Sequence, residues 1–526
     1  MSHSHETPNR WHNNRALERG NVVKKATGGT TGQQFWSGRS AFILAAVGSA
    51  VGLGNIWRYP ATVFNNGGGA FFIPYFIAFF TAGLPMLILE FTIGSKYRGS
   101  GPLAYARIAK KWEFLGWIPT MVAGMIIFFY MVILAWAANF TIFAFSGMSW
   151  GSDPTDFFMN DFLGATGSPL VLGNINWAVV LALFVLYVVT YFVSSKDLKS
   201  GLEKFNKVLL PAMFISLVGL GVYALTLPGA WSGLDALFTP NWGELTNPQI
   251  WIAAYGQIFF SMSVCMGIMI AYGSYLPKKT DIVTTSLTIG FADIAVSMIA
   301  ATTVFALLGY MATAQGVGVG DVSAAGAGLV FMVFPVAFNL MGAAGPWFGG
   351  FFFIAILIAG MTSFVSLMEA FSQPFVEKYN MDRKKMFGIT TGIGFVASSL
   401  YATGAGIHLL TVVNYVLDYF LMIGGFLQVI ACIWIYKKYP EFQKYLNPNA
   451  AIKLGSWWLI PIKFIFPVIV LIILATWILD FLGGGAQAFP TEVLIFVHGG
   501  TAAIIIGASI VFSLIKWRRS IELKEE

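Results

Sequence analysis

The sequence predicts an all-α polytopic membrane protein with twelve transmembrane helices, ten of them forming a 5+5 inverted repeat. Three observations predict this fold. First, 57% of the 526 residues are apolar and only 10% are charged, a composition typical of helical membrane proteins. Second, twelve apolar runs are long enough to cross a bilayer. Third, the first and sixth runs are both interrupted at mid-span, and matched broken helices are typical of inverted repeats.

The twelve runs divide the chain into four regions. We number the predicted helices α1 to α12 in chain order, with the ranges 41–64, 70–95, 114–146, 175–194, 208–227, 249–275, 283–312, 347–375, 386–403, 408–436, 457–482 and 491–516. A polar tail (1–38) precedes the ten-helix core (39–437), α11 and α12 lie within 455–517, and a short tail covers 518–526. Because the number of helices is even, both tails are expected on one side of the membrane.

The basic residues predict which side that is. Of the 31 lysines and arginines, only Arg58 lies away from the two tails and the loops that share their side. The opposite loops 147–174, 228–247, 313–346 and 483–490 contain none. Because basic loops stay in the cytoplasm, we expect cytoplasmic termini and a location in the cell (inner) membrane. The net charge of +7 then reflects orientation in the membrane and not nucleic-acid binding.

The interruption of α1 is the strongest local signal. Gly48, Gly52 and Gly54 lie within seven residues, and each weakens a helix by roughly 1 kcal/mol against alanine. Arg58 follows, at a cost of about 2.5–3.5 kcal/mol inside a span. A helix broken here would expose peptide groups suited to a cation and a carboxylate. Alternatively, Gly48 and Gly52 form a packing face, and Arg58 either reaches the outer interface or forms a gate.

Hydroxyl groups interrupt two further helices. Ser261 and Ser263 follow Gln257 in the middle of α6, and Thr362 and Ser363 are adjacent in the middle of α8. Such hydroxyls either bond back to the preceding turn or supply neutral oxygen ligands for a hard cation. The matched positions of α1 and α6 favour a binding site.

Other side chains argue against an enzyme or a channel. The cysteines and histidines of the apolar runs lie singly, so the sequence offers no disulfide framework, metal cluster or paired nucleophile and base. A channel would need a continuous polar lining or a repeated filter segment. Glu90 in α2 and Glu369 in α8 need partners inside the membrane. They either accept hydrogen bonds from freed backbone amides or relay protons.

Several long motifs carry a resemblance to a known family. They are the run from Gly48 to Pro60, the Asn-Gly-Gly-Gly-Ala-Phe turn at 66–71, Glu90 after Gly-Leu-Pro, the run from Trp251 to Phe260, and Gly-Met-Thr-Ser at 360–363. In this order and spacing the chain resembles the neurotransmitter:sodium symporter family, the group with the LeuT fold, over about residues 33–480. The resemblance implies a LeuT-like arrangement and a transporter.

The resemblance also implies two sodium sites. One would be formed by carbonyls and hydroxyls of α1 and α8, at Gly48, Val51, Ala359, Thr362 and Ser363. The other would touch the substrate carboxylate, and its positions match Ala50, Asn55, Ser261 and Asp293. The family more often has asparagine at the last place. An acid there affects either the affinity for the ion or its pH dependence.

A chloride site of some family members matches Tyr75, Gln257, Ser261 and Ser297. Ser297 leaves room for chloride, whereas Asp293, one turn earlier, can supply the negative charge instead. Two unit charges about 5 Å apart would repel by roughly 3 kcal/mol at an effective dielectric of about 20. We therefore expect no chloride requirement.

The substrate pocket implied by the resemblance is mostly apolar. Tyr130 matches the tyrosine that binds the substrate carboxylate, and Gly52 replaces the aspartate of amine-transporting relatives. A neutral, hydrophobic amino acid is therefore expected, with two flexible methionines in the walls. The full set of lining positions is Ser49, Ala50, Gly52, Gly54, Ile126, Tyr130, Phe260, Ser261, Ser263, Met266, Met269, Phe364 and Leu367. For Ile126 and Leu367, plain helix packing is an equal alternative.

The gates depart from the family pattern. Arg58 and Phe260 match the outer gate, and the position of its usual acid on α10 is matched either by Asn414 or, one turn further along, by Asp418. The inner gate matches Trp36, Tyr275 and Glu377, while the usual arginine is replaced by Gln33. Lys24 or Lys25 of the tail is a candidate replacement for that arginine.

The resulting hypothesis is sodium-coupled import of a neutral amino acid by alternating access. The alternative is a proton-coupled carrier that uses Glu90, Asp293 or Glu369. The expected partners are the amino acid, membrane lipid and, through α11 and α12, a second copy of the chain.

Overall fold

The computed structural model describes residues 34–277, 279–322, 328–483 and 489–518. Most of the predicted tail 1–38, with Lys24, Lys25 and Gln33, lies outside the described residues, as does 519–526. Within the described ranges the chain is helical, and pairing between extended segments is limited to two isolated bridges, Gly68 with Pro240 and Ile175 with Thr403. The predicted all-α fold is confirmed.

The helices follow the predicted order. In the described residues nine helices are long and apolar enough to span a membrane, or ten if the bent α1 pair counts as one span. The broken α6 and the less apolar α9, which begins with three basic residues, complete a set consistent with twelve. The bounds are Arg39–Ala50 and Gly54–Asn65 (α1), Gly69–Tyr97, Lys110–Phe145, Trp177–Ser194, Lys199–Leu225, Pro248–Ser261 and Ile268–Ser274 (α6), Ile282–Gln315, Gly342–Tyr379, Arg383–Leu400, Gly406–Ile435, Ser456–Leu479 and Thr491–Leu514.

Both predicted interruptions are real breaks. The two halves of α1 are bent by 52°, and the chain between them is extended at Val51 (φ −80°, ψ 107°). In α6 the break covers 262–267, where Ser263, Cys265 and Gly267 have φ of 52°, 65° and 74°. Left-handed backbone at the two non-glycine positions is costly, and such strain is typical of functional sites.

The long helices α3 and α8 pack along each other and form the centre of the fold. Small residues permit the close approach, because a Cβ built on Gly360 would lie 2.2 Å from the Leu134 side chain. Helix α2 passes the second half of α6 at Gly94, where a Cβ would lie 2.0 Å from the Ile270 carbonyl oxygen. This scaffold holds the broken segments of α1 and α6 against α3, α7 and α8.

Candidate functional site

Side chains of α1 itself, α3 and α6 satisfy the peptide groups freed by the break of α1. The Gly52 amide donates to Asn55 Oδ1 at 2.9 Å, and the Leu53 amide donates to Tyr130 Oη at 3.4 Å. Gln257 Nε2 donates to the Gly54 carbonyl oxygen at 2.9 Å. Polar contacts from α3 and α6 thus stabilise the break, because backbone groups buried in a membrane need hydrogen-bond partners within the protein.

The freed carbonyls converge on the hydroxyls of α8. The shortest contact of Ser363 Oγ is to the oxygen of Ser49, at 3.0 Å, a residue not predicted for this site. The oxygens of Gly48, Val51 and Ala359 lie 3.4, 3.3 and 3.5 Å from the same hydroxyl. Thr362 Oγ1 donates to the Ala359 oxygen at 2.8 Å. The structure therefore brings together all five residues predicted for the first sodium site. The donor set is neutral and all-oxygen, which fits a hard monovalent cation.

The second predicted sodium position contains a buried acid. Asp293 on α7 is fully buried, and it accepts hydrogen bonds from Asn55 Nδ2 at 2.7 Å and Ser261 Oγ at 2.9 Å. The same Asn55 nitrogen lies 2.8 Å from Ser297 Oγ. A buried carboxylate supported only by neutral donors is costly, and a bound cation would offset that cost.

A small cavity lies beside the break of α1, with a volume of about 30 Å³. Ten of the thirteen residues predicted for the substrate pocket line it, together with Leu53, Ile268 and Ser363, which the prediction did not include. A cavity needs roughly 10–15 Å³ of such volume to hold a single water molecule. To bind an amino acid, the walls of this cavity would therefore have to move outward. Met266 is among the flexible wall residues able to do so.

Three predicted lining residues face elsewhere in this conformation. Ser261 turns towards Asp293. Phe364 packs behind the cavity, its ring centroid 6.3 Å from that of Tyr130 and 5.7 Å from that of Tyr187. Met269 is fully buried in the second half of α6. Helix rotation decides which side of the backbone reaches the cavity.

One side of the cavity is closed by an ion pair. Arg58 Nη1 and Nη2 each donate to a carboxylate oxygen of Asp418 at 3.2 Å, and the guanidinium carbon lies 4.5 Å from the centroid of the Phe260 ring. Of the two candidates on α10, Asp418 forms this pair, whereas Asn414 lies half-buried one turn earlier. Arg58 therefore does not simply extend to the outer interface.

The opposite side is closed by a different network from the one expected. Trp36 Nε1 donates to the Tyr272 oxygen at 3.0 Å, and Tyr275 Oη donates to Glu369 Oε1 at 2.7 Å. Glu369 also forms an ion pair with Arg383. Glu377, the acid that matches the family's inner gate, instead accepts bonds from the amide and hydroxyl of Ser100 at 3.0 and 2.6 Å.

Glu90 has a backbone partner. Its Oε1 accepts a hydrogen bond at 3.1 Å from the amide of Cys265, inside the break of α6. Of the two uses expected for this acid, the structure favours support of a freed amide.

The sequence model of a protein family, described as the sodium:neurotransmitter symporter family, matches residues 33–153 and 147–517 of this chain. The chain belongs to this family. Its members are secondary transporters, so this member of the symporter family is a sodium-dependent multi-pass membrane transporter of a small molecule and not an enzyme. The family resemblance and the LeuT-like fold expected from the sequence are confirmed.

Individual relatives extend the comparison. An uncharacterized sodium-dependent transporter of Methanocaldococcus jannaschii is 34% identical, over 92% of this chain and 97% of the relative. A sodium- and chloride-dependent GABA transporter 2 of Bos taurus is 31% identical, over 75% of this chain and 71% of the relative. A solved structure that is similar is the crystal structure of MhsT in complex with L-phenylalanine. The two sequences are 29% identical, and the match covers 85% of this chain and 100% of the MhsT chain, with a TM-score of 0.71.

Proposed function

We propose that this symporter imports a neutral, hydrophobic amino acid together with sodium, by alternating access. The observation that carries the proposal is the cavity beside the break of α1, whose lining combines polar groups with apolar side chains. The polar part of the lining consists of Tyr130 Oη, the backbone of 52–54 and the hydroxyls of Ser49, Ser263 and Ser363. The remaining walls include Ile126, Phe260 and Leu367. Such an arrangement suits an α-carboxylate with an apolar side chain.

Gly52 supports an amino acid over a monoamine. A Cβ at this position would lie 2.5 Å from Ser363 Oγ and 2.9 Å from Tyr130 Oη, so the wall has no room for a side-chain acid to pair with an amine. The solved relative MhsT was crystallised with L-phenylalanine, which is a neutral, hydrophobic amino acid. An apolar pocket discriminates sizes weakly, so several such amino acids are expected to compete.

The two sodium positions provide the driving force in this proposal. Each charge that enters across about 100 mV supplies about 2.3 kcal/mol, so two sodium ions with a zwitterion would gain about 4.6 kcal/mol. Sodium bound between α1 and α8 would hold α1 against the scaffold to which α8 belongs. In this proposal, that contact favours the outward-facing state. A proton-coupled carrier that uses Glu90, Asp293 or Glu369 is less favoured, because Glu90 and Glu369 accept structural hydrogen bonds and Asp293 is assigned to the second sodium position in this proposal.

Replacing sodium by choline should abolish amino-acid uptake into proteoliposomes at every pH tested. In Ser363→Ala we expect the sodium concentration for half-maximal uptake to rise about tenfold, as for loss of an oriented ligand group. Ser399→Ala is the matched control, because Ser399 Oγ donates only to the Phe395 oxygen in α9, at 2.8 Å. Uptake that continues without sodium would contradict the proposal.

We further propose that Asp293 makes chloride unnecessary. Of the residues matching the chloride site, Ser261 is bonded to Asp293 and Gln257 to the Gly54 oxygen. Ser297 Oγ accepts a bond from Asn55 Nδ2. The hydroxyl of Ser261 and one N–H of Gln257 are thus used within the protein, whereas Tyr75 Oη has no hydrogen-bond partner among the described residues. The carboxylate provides the negative charge that chloride would otherwise supply to the adjacent sodium.

Wild-type uptake should be equal in chloride and gluconate. In Asp293→Asn we expect uptake in gluconate to fall by about tenfold or more, because a cation and a carboxylate about 4 Å apart attract by about 4 kcal/mol at an effective dielectric of 20. Adding chloride to this variant should restore part of the uptake. A wild-type protein that requires chloride, or a variant unaffected in gluconate, would disprove the role of Asp293.

The predicted topology and domain division form part of the proposal. We propose cytoplasmic termini, a transport core of 39–437, and peripheral helices α11 and α12. Exposed apolar side chains such as Leu471, Leu479 and Ile495 on these two helices suit contact with lipid or with a second copy.

A further inference from the structure

Asn206 in α5 has an unsatisfied polar atom in the protein interior. The side chain is fully buried, and its Nδ2 donates to the Leu202 oxygen of the preceding turn at 3.0 Å. Its Oδ1 has no hydrogen-bond partner among the described residues. A buried amide oxygen without a partner is costly, so this atom calls for a ligand.

The orphan oxygen lies against Gly48 of α1, one of the residues of the proposed sodium site between α1 and α8. A Cβ built on Gly48 would lie 2.3 Å from Asn206 Oδ1 and 3.6 Å from Thr362 Cβ. Oδ1 therefore touches the surface of α1 at the glycine whose carbonyl is one of the five proposed ligands. Only a residue without a side chain leaves this approach open, which gives Gly48 a role distinct from helix breaking.

We propose that Asn206 Oδ1 is a sixth oxygen ligand of this sodium ion. The five ligand residues of α1 and α8 are neutral, and a sixth neutral oxygen completes a coordination number common for hard cations. The inference rests on the proposed sodium site and extends it, because the ion would then join a third helix, α5, to α1 and α8. Loss of the ion would release α5 together with α1.

Two substitutions separate a ligand from a structural side chain. Asn206→Ser keeps a hydroxyl able to bond to the Leu202 oxygen, as Ser216 does to Ala212 at 2.8 Å in the same helix, but its oxygen stays close to the α5 backbone. Asn206→Asp loses the donor to Leu202 and keeps an oxygen at full reach, with added negative charge. If Asn206 is a ligand, Asn206→Asp should bind sodium more tightly than Asn206→Ser. If its role is structural, the order of the two variants should be reversed.

The experiment measures sodium binding to the purified full-length protein without substrate, by isotope binding and by the sodium-dependent shift in melting temperature. We expect sodium affinity to fall about tenfold in Asn206→Ser, at the lower end of the effect of removing metal-supporting groups, and to rise in Asn206→Asp. Ser216→Ala is the matched control on α5 and should bind sodium as the wild type does. Melting temperatures without sodium report folding.

Wild-type sodium affinity in both Asn206 variants, or an equal loss in both, would overturn the inference. If Asn206→Ser does not fold, Asn206→Asp decides alone, and an unchanged affinity overturns it. Ser363→Ala distinguishes an error in the proposed sodium site from an error in the role of Asn206. If Ser363→Ala weakens sodium binding and Asn206→Ser does not, the site stands and Asn206 is not part of it. If Ser363→Ala has no effect, the proposed site itself is wrong.

Discussion

Replacing Lys378 by methionine should destabilise the protein by about 3–5 kcal/mol, the usual cost of leaving one member of a buried ion pair without its partner. Lys378, in the last turn of α8, forms a fully buried ion pair with Glu113 at the start of α3. Its ammonium also donates to the Phe512 oxygen of α12 at 2.5 Å. Glu113 accepts from Trp517 Nε1 at 2.7 Å. One charge pair thus joins α3, α8 and the segment after α12.

A double-mutant cycle tests this prediction through the unfolding of the purified protein. Glu113→Gln alone should also be strongly destabilising, whereas Lys378→Met with Glu113→Gln should recover much of the loss, because no unpaired charge remains buried. Lys96→Met is the control. Its pair with Glu441 is 3.1 Å long, with side chains 21% and 38% exposed, so at most about 1 kcal/mol is expected. A double variant as unstable as the sum of the single ones would contradict this account.

Gly52→Ala should reduce amino-acid uptake by about 100-fold, equivalent to a ~3 kcal/mol penalty for overpacking. The added methyl group would lie 2.5 Å from Ser363 Oγ and 2.9 Å from Tyr130 Oη. It would therefore displace a hydroxyl of the proposed sodium site and the proposed partner of the substrate carboxylate together. Sodium affinity should fall along with substrate affinity.

Uptake and substrate-dependent thermal shift, measured on the same preparation, check this prediction. Gly219→Ala is the matched control, because a Cβ at Gly219 meets nothing within 4 Å in the middle of α5. It should retain uptake, with unchanged or slightly raised stability. Gly52→Ala with wild-type transport would show that the substrate and sodium lie elsewhere.

Much of the site could be predicted from the sequence because its signals are local. The glycines at 48, 52 and 54 weaken α1 at one depth, and the structure breaks the helix there. The adjacent hydroxyls of Thr362 and Ser363 offer either bonds to the preceding turn or oxygen ligands; Thr362 Oγ1 bonds back to Ala359, and Ser363 Oγ lies within 3.5 Å of three of the predicted carbonyls. Family motifs placed the partners from α1 and α8 without knowledge of the packing.

Contacts between helices that are far apart in the sequence were harder to predict. Asn414 and Asp418 are four residues apart, so they share a helix face and differ by only about 6 Å along the axis. Periodicity cannot separate them, whereas the position of Arg58 against α10 does. Arg383 looks like any basic residue at a helix start, and only the packing of α8 against α9 brings it to Glu369.

The sequence by itself determined the membrane class, the order of the helices and the two breaks, because hydropathy and glycine content act within one segment. The tertiary structure alone decided that Asp418 pairs with Arg58 on one side of the cavity, that Glu369 pairs with Arg383 on the other, and that Asn206 lies against Gly48. These choices depend on how each helix is rotated and how deeply it sits against its neighbours. That rotation is set by the packing of the whole bundle, which no single stretch of sequence encodes.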